Sequence, residues 1–237
     1  MDSTGYTTLS RQSGLMREME IVAQNIANIS TTGFRREGVI FSEYISRLDG
    51  EPSLSMATGN TRLVDLTQAG LSMSGGTYDL AIQGDGFFLI QTPEGERLTR
   101  AGAFTPAADG SLVTADGHAV LDSGGTAVVV PANANAVSIA QDGTVSADGI
   151  AVARIGLWQP TDPLTLLHTS GTMFSASSGV EPAEGGIMLQ GMLEESNVEP
   201  VSEIARMIAV QRAYEMGQSL LDREDARVRA VIQTLGQ

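Results

Sequence analysis

The chain has 237 residues and is 42% hydrophobic, which is sufficient for a buried core in one large or two small domains. Its 28 acidic and 14 basic residues give a formal net charge of -14, which argues against binding to nucleic acid or anionic lipid. Because cysteine is absent, disulfides and thiolate sites are excluded. The sequence has neither a long apolar run nor the pattern of a cleaved secretory signal at its start, so we expect a soluble protein that is not an ordinary Sec substrate.

The first predicted element is a helix over residues 7–29. Five apolar residues at alternating spacings of four and three share one of its faces: Leu15, Met19, Val22, Ile26 and Ile29. The segment Ser30-Thr31-Thr32-Gly33 predicts the end of this helix.

Short β-branched runs separated by Asp-Gly pairs follow, and they predict a central antiparallel β domain over residues 77–174. Strands are predicted at residues 80–82, 87–91, 96–99, 112–114, 128–130, 136–139, 144–146 and 150–157. Residues 36–76 lack a clear period and are interpreted as an extended connector. Residues 175–190 are interpreted as a return linker.

The last predicted element is a long helix over residues 198–235. Nine positions spaced by three or four define one face, and seven of them are apolar: Met207, Val210, Tyr214, Gly217, Leu221, Glu224, Val228, Val231 and Leu235. Val201, Ile204 and Ile208 form a second apolar stripe, which predicts a second neighbour for this helix. Asn197 is a candidate N-cap, and Pro200 suits the first turn.

These elements predict an α+β, mainly β, fold. We expect the long N- and C-terminal helices, within assembly segments 1–35 and 191–237, to pack as a coiled-coil-like pair beside the central antiparallel β domain.

Residue patterns typical of catalysis or metal binding are missing from the sequence. His118 and His168 are the only histidines, and neither has a metal-ligand spacing. Gly84-Asp85-Gly86 precedes a strand rather than a helix, so it predicts a turn and not a phosphate loop. We predict no catalytic residues, no cofactor and no metal, and therefore not an enzyme.

Residues 9–35 resemble the opening motif of bacterial flagellar rod and hook proteins, with its Asn-x-x-Asn-x-x-Thr-x-Gly-Phe signature from Asn25 to Phe34. The chemistry of these residues agrees with the resemblance, because Asn25 and Asn28 can bond backbone groups at a helix end and Gly33 permits a turn. Arg35-Arg36 departs from the lysine common in the family but keeps the positive charge.

Two further blocks are similar to the same family. Residues 78–88, 98–104 and 109–117 resemble its central β region, and residues 191–215 resemble its C-terminal motif. Residues 139–146, 153–157 and 171–174 resemble the proximal-rod branch most. The distal-rod or hook-type branch is the alternative.

The resemblance implies a structural subunit of the basal-body rod that polymerises through its terminal helices into part of a hollow drive shaft for motility. It also implies export through the flagellar type III apparatus, a periplasmic location, and partners that include other rod proteins and copies of the chain itself.

The assembly interface predicted from the apolar stripes and the motif comprises Leu15, Met19, Val22, Asn25, Ile26, Asn28, Ile29, Gly33, Phe34, Val201, Ile204, Met207, Ile208, Val210, Tyr214, Leu221, Val228, Val231 and Leu235. The alternatives from other classes are a secreted carbohydrate-binding or hydrolytic β protein and an adhesin-like surface module.

Overall fold

The structure is a computed structural model that describes residues 3–46 and 54–235. The chain divides into two compact units. We call Met1–Ala27, Glu37–Leu63 and Glu199–Gln237 the helical unit, and Asn28–Arg36 with Val64–Val198 the β unit. Within the described part of the chain, neither helix combines the length and apolar content that a membrane span requires.

The helical unit contains the two long helices, α1 (Ser3–Ala27) and α2 (Pro200–Leu235). Proline is the first residue of α2, where its missing N–H costs nothing. The two-stranded sheet of β1 (Glu37–Ser46) and β2 (Leu54–Val64) follows α1 in the chain. These strands lie in the stretch interpreted as an extended connector, and the division of the chain into five segments stays a prediction.

The expectation of a coiled-coil-like helix pair is wrong. α1 and α2 run antiparallel, and three polar side-chain pairs join them: Glu18 with Arg206 at 2.8 Å, Gln12 with Gln218 at 3.4 Å and Asn25 with Glu203 at 3.2 Å. A coiled coil needs a continuous buried apolar seam. In α2, Val210 is the one buried hydrophobic residue among those described, whereas several of its other apolar residues face solvent. The structure supports the rest of the expectation, with long terminal helices and a mainly β centre.

The β unit contains sixteen short strands and a 3-10 turn at Pro163–Thr165. The strands are β3 (Leu71–Met73), β4 (Leu80–Gln83), β5 (Phe87–Thr92), β6 (Gly95–Thr99), β7 (Thr105–Pro106), β8 (Leu112–Val113), β9 (Ala119–Val120), β10 (Val137–Ile139), β11 (Thr144–Ala147), β12 (Ile150–Arg154), β13 (Leu157–Pro160), β14 (Leu166–Ser170), β15 (Met173–Ala176), β16 (Val180–Pro182), β17 (Ile187–Gln190) and β18 (Met192–Glu194).

The largest sheet has the order β14-β15-β6-β5-β9-β8-β7, and β13 joins it by pairing with β5 and β16. β10, β11 and β12 form a separate three-stranded sheet, and two further pairs join β17 to β4 and β18 to β3. The strand pairs among the described residues of this unit are antiparallel, as the Asp-Gly turns predict. The pairings of β17 and β18 return the end of the unit to its beginning, so residues near 194 lie beside residues near 70.

Two apolar clusters fill the β unit. One surrounds Phe88, Leu80 and Val145, and the other surrounds Phe87, Leu98 and Phe174. The division follows from strand geometry, because the neighbours Phe87 and Phe88 point to opposite faces of β5 and both are buried.

Candidate assembly interface

The turn that follows α1 is fixed by a glycine. Gly33 has a φ of +71°, and a Cβ built there would lie 2.2 Å from the backbone nitrogen of Ala101. Its own N–H donates to the carbonyl of Glu194 at 2.8 Å. Only glycine combines this conformation with such a close approach of two backbones. The predicted turn is therefore also a docking point on the β unit.

Phe34 inserts into the β unit beside this turn. Its side chain is fully buried, and its ring meets His168 edge-on with a centroid separation of 5.4 Å. His168 in turn lies 5.0 Å from the ring of Phe174. Offset and edge-on contacts of this kind are the favoured arrangements of aromatic rings. Phe34 thus joins the signature segment to the β-unit core.

Arg35, Glu194 and Arg100 form a buried charged cluster, which we call the charge cluster. The carboxylate of Glu194 accepts from Arg35 at 2.9 Å and from Arg100 at 3.1 Å. The three side chains are only 1–3% exposed. The carboxylate also accepts from the backbone N–H of Ala69 at 3.0 Å. One buried carboxylate therefore pairs with two buried guanidiniums.

Burial has an electrostatic cost in the charge cluster, which lowers the pKa of both guanidiniums. Desolvation, opposed by the charge of Glu194, lowers the pKa of Arg100 to about 10. Desolvation likewise lowers the pKa of Arg35, and the charges of Glu194 and Asp65 oppose it. The guanidinium of Arg100 stays charged at neutral pH, because a pKa of about 10 lies well above 7. Carbonyls offset part of the cost, with Thr67 accepting from Arg35 and Gly84 from Arg100.

Asn197 joins the segment between β18 and α2 to the residues that follow the signature motif. Its side-chain oxygen accepts from the N–H of Arg36 at 2.6 Å, and its Nδ2 donates to the carbonyls of Asp65 and Thr67, each at 3.0 Å. Asn197 is therefore not the N-cap that the sequence suggested, because its side chain is committed to these backbone groups and α2 begins at Pro200.

A second polar cluster lies in the helical unit, near the end of α1. Asn25 is 1% exposed and bonds the backbone of Glu37 twice, donating to its carbonyl at 2.9 Å and accepting from its N–H at 3.0 Å. The Nδ2 of Asn25 also donates to the carboxylate of Glu203 on α2 at 3.2 Å. This one amide thus joins α1, β1 and α2, which extends the predicted backbone bonding of Asn25.

Three regions of the chain match family models. Residues 5–35 match the flagella basal body rod protein model, residues 81–147 the flagellar hook protein FlgE/F/G D1 domain, and residues 189–234 the flagellar basal body rod FlgEFG protein C-terminal model. The flagellar basal-body rod protein FlgF of Caulobacter vibrioides is 40% identical over 100% of this chain and 99% of its own length. The chain belongs to the flagellar basal-body rod protein family.

Other relatives agree with this assignment. FlgF of Mesorhizobium japonicum is 35% identical over 100% of this chain and 99% of its own length. The rod protein FlgG of Bacillus subtilis is 32% identical over 93% of this chain and 94% of its own length. The predicted resemblance to rod proteins, and to FlgF in particular, is confirmed. The chain is a structural component of the flagellar basal-body rod, which is built from proteins of this family.

The predicted interface residues of this rod protein differ in how exposed they are to solvent. Those buried within the chain are Leu15, Val22, Asn25, Gly33, Phe34 and Val210. Those half-buried are Met19, Ile26, Asn28, Ile29, Met207, Tyr214 and Leu221. Those exposed are Val201, Ile204, Ile208 and Val228. The side chains of Val231 and Leu235 lie outside the described residues. The role of all these residues in assembly stays a prediction.

Sequence reasoning about the rod protein missed its buried charges. Arg100, Glu194, Glu37 and Glu203 are at most 3% exposed, yet charged residues are usually assigned to the surface. A partial signal existed, since Arg35 follows the signature motif and Glu194 lies in the C-terminal motif. Their pairing depends on the return of β17 and β18 to the start of the β unit, which no local pattern reveals.

Proposed function

We propose that this chain polymerises in the proximal rod through apolar surface of its terminal helices, contributing to a hollow shaft. Its neighbours are other rod proteins and copies of itself. The proposal also includes export through the flagellar type III apparatus and assembly in the periplasm, which the family resemblance supports. The role is structural, without catalysis, nucleic-acid binding or insertion into a membrane.

One observation carries this proposal, the exposed stripe formed by Val201, Ile204 and Ile208 on α2. These side chains are 74%, 50% and 45% exposed. They lie one helical turn apart and share a face, which points away from the face that contains the buried Glu203 and Val210. Aliphatic side chains aligned in this way on a long helix are typical of a surface that another protein covers.

The proposal is tested by placing a charge on the exposed stripe. Ile204→Asp leaves the isolated subunit folded because residue 204 is half exposed, but in a polymer it buries an unpaired carboxylate at a cost of several kcal/mol. We expect the variant to fail to restore flagella in a deletion strain, with no variant chain in purified basal bodies. Ser202→Asp is the matched control, because Ser202 is exposed on another face of the same turn and begins with a polar side chain.

The phenotypes of these strains also distinguish rod assembly from the alternative functions. Normal flagella in the Ile204→Asp strain would contradict assembly through α2. Normal swimming after deletion of the whole gene would contradict any role in the rod and would favour an adhesin-like module. Circular dichroism of the purified variant establishes that the β unit remains folded.

A further inference from the structure

The β unit contains a pocket beside the start of β5 and the end of β13. The pocket has a volume of about 270 Å³, and its lining includes Leu66, Asp85, Phe87, Pro160 and Glu181. Phe87 and Pro160 are buried, whereas Leu66 is 40% exposed and both carboxylates are exposed. The pocket is therefore apolar at depth and acidic at its opening.

Glu181 is held at the opening by its neighbour on the paired strand. β13 and β16 are antiparallel, and their register places Gln159 opposite Glu181. The side-chain Nε2 of Gln159 donates to Oε1 of Glu181 at 2.8 Å. Oε2 accepts no hydrogen bond from the part of the chain that the structure describes, so it is available to an incoming donor.

Asp85 lies on the turn between β4 and β5, whose position is fixed by a close approach. The next residue, Gly86, has a φ of +113°, and a Cβ built there would lie 3.1 Å from the Cβ of Ala183, just after β16. The turn therefore packs against the segment that carries Glu181. Among the described residues, none donates a hydrogen bond to the carboxylate of Asp85 or forms an ion pair with it.

The net charge around the pocket is negative. Its lining contains two carboxylates and one guanidinium, that of Arg100, which gives a charge of -1. Arg100 is only 3% exposed and pairs with Glu194 at 3.1 Å, so a ligand meets the two exposed carboxylates first. The whole β unit has 15 acidic and five basic residues, which gives a net charge of -10. A surface of this kind attracts cations and repels anions.

The chemistry of the walls favours an ammonium over a guanidinium. A guanidinium is planar and binds best by stacking on an aromatic ring or by forking to one carboxylate. Arg100 already lies over the ring of Phe87, 5.2 Å from its centroid, and Phe174 meets the same ring at 5.9 Å. An ammonium is compact, and its three rotatable donors can reach carboxylates on two different walls. Its four-carbon stem can lie along the apolar surface of Leu66 and Pro160.

We infer that this pocket binds the side chain of a lysine from another protein of the basal body, with its ammonium between Asp85 and Glu181. The inference rests on the proposed function, because it places the chain in the rod, and it deepens that function by naming the chemistry of a partner. All 14 basic residues of the chain are arginine. A second copy therefore has no lysine to insert, and the occupant belongs to a different protein.

Carbodiimide cross-linking of purified basal bodies tests the inference on the natural chain. The reagent condenses a carboxylate with an amine that it touches, with loss of water and without a spacer. We expect a peptide in which residue 85 or residue 181 is joined by an amide bond to a lysine of another protein, identified by mass spectrometry. Because the chain has no lysine, its α-amino group is the only amine through which two copies could be joined.

A pair of neutral variants locates the contact. The test variant combines Asp85→Asn with Glu181→Gln and should lose this cross-link completely. The control combines Glu96→Gln with Asp116→Asn, which changes the net charge equally at exposed positions outside the pocket, and should keep the cross-link. Exposed ion pairs contribute little to stability, so both variants should remain folded and enter basal bodies.

Two results would overturn the inference. One is the absence of a lysine cross-link at both residue 85 and residue 181 in basal bodies that contain the natural chain. The other is a test variant that stays joined to the same lysine, because another carboxylate would then be its partner. Failure of the proposed function is distinguishable, since the natural chain would then be missing from basal bodies of strains with normal flagella.

Discussion

The carboxylate of Glu194 contacts the guanidinium of Arg35 at 2.9 Å, and each side chain is only 1% exposed. Arg35 directly follows the signature motif that ends at Phe34, and Glu194 ends β18, the last strand before α2. The two segments through which the chain enters and leaves the β unit are therefore joined by one buried ion pair. Arg100 contacts the same carboxylate at 3.1 Å, so Glu194 pairs with both cations.

Removing the charge of Glu194 should destabilise the β unit strongly. Glu194→Gln removes the charge of the one carboxylate that contacts both buried guanidiniums, and breaking a buried pair in this way costs about 3–5 kcal/mol. Urea unfolding of the purified subunit measures this loss. Glu195→Gln is the control, because Glu195 is adjacent in sequence but exposed. Equal unfolding midpoints for the two variants would show that the charge cluster contributes nothing to stability.

Gly33→Ala should release the signature segment from the β unit. The added Cβ would meet the backbone nitrogen of Ala101 at 2.2 Å, in addition to the strain of a φ of +71°. We expect a loss of at least about 1–3 kcal/mol. Gly75→Ala isolates the contribution of strain, because Gly75 has a φ of +73° with nothing within 4 Å of its Cβ position.

The comparison of the two glycine variants is made by thermal unfolding of the purified subunit. Gly33→Ala should lower the melting temperature clearly more than Gly75→Ala does. A similar decrease in both variants would mean that the backbone of Ala101 gives way and that close approach does not require glycine at position 33.

The β unit should lose stability in acid because several of its turn carboxylates have lowered pKa values. Burial alone would raise the pKa of Asp122, but hydrogen bonds from Thr126 and Gly124 outweigh it and lower the value. Hydrogen bonds from Ser111 lower the pKa of Asp109. A carboxyl whose folded pKa is lowered stabilises the fold above its unfolded pKa, near 4, and this contribution disappears as the pH falls through the folded pKa.

Asp122→Asn makes this contribution measurable. The amide oxygen can still accept the N–H of Gly124 or Thr126, but the side chain no longer titrates. The free energy of unfolding should therefore decline less steeply between about pH 4 and pH 2 in the variant than in the natural chain. Parallel declines measured by urea titration at each pH would contradict a role for Asp122.

Local sequence patterns predicted both helices and several of the strands. The alternating spacings of apolar residues located both helices, although α1 begins earlier and α2 later than predicted. Strands β4, β5, β6, β10 and β11 were predicted closely, whereas β14 to β18 were missed. Within residues 128–130, Val129 makes an isolated bridge rather than a strand. Residues 150–157 contain β12 and the start of β13, which Ile155 and Gly156 separate.

The partners of the helices could not be predicted in the same way. A helical period shows which side chains share a face, but not what covers that face. The seam inferred for α2 assumed that apolar residues meet across the helix pair, and the structure instead places Glu203, Arg206 and Gln218 opposite α1. The candidate site shows the same limit. Gly33 and Asn25 were recognised from the motif, whereas their partners Glu194 and Glu203, which lie far away in the sequence, were not.

Hydrogen exchange of the isolated subunit should be slow in residues 28–36, near the charge cluster, and rapid in both helices. Residues 28–36 are held to the β unit by Gly33, Phe34 and Arg35, so their amides should exchange as slowly as those of β5. α2 leaves most of its apolar residues uncovered, so both helices should exchange rapidly before assembly and slowly in purified basal bodies. Mass spectrometry of peptides from 10–24, 28–36 and 205–225 distinguishes these cases. Strong protection of both helices in the isolated subunit would contradict ordering on assembly, and rapid exchange at 28–36 would contradict a junction already formed before it.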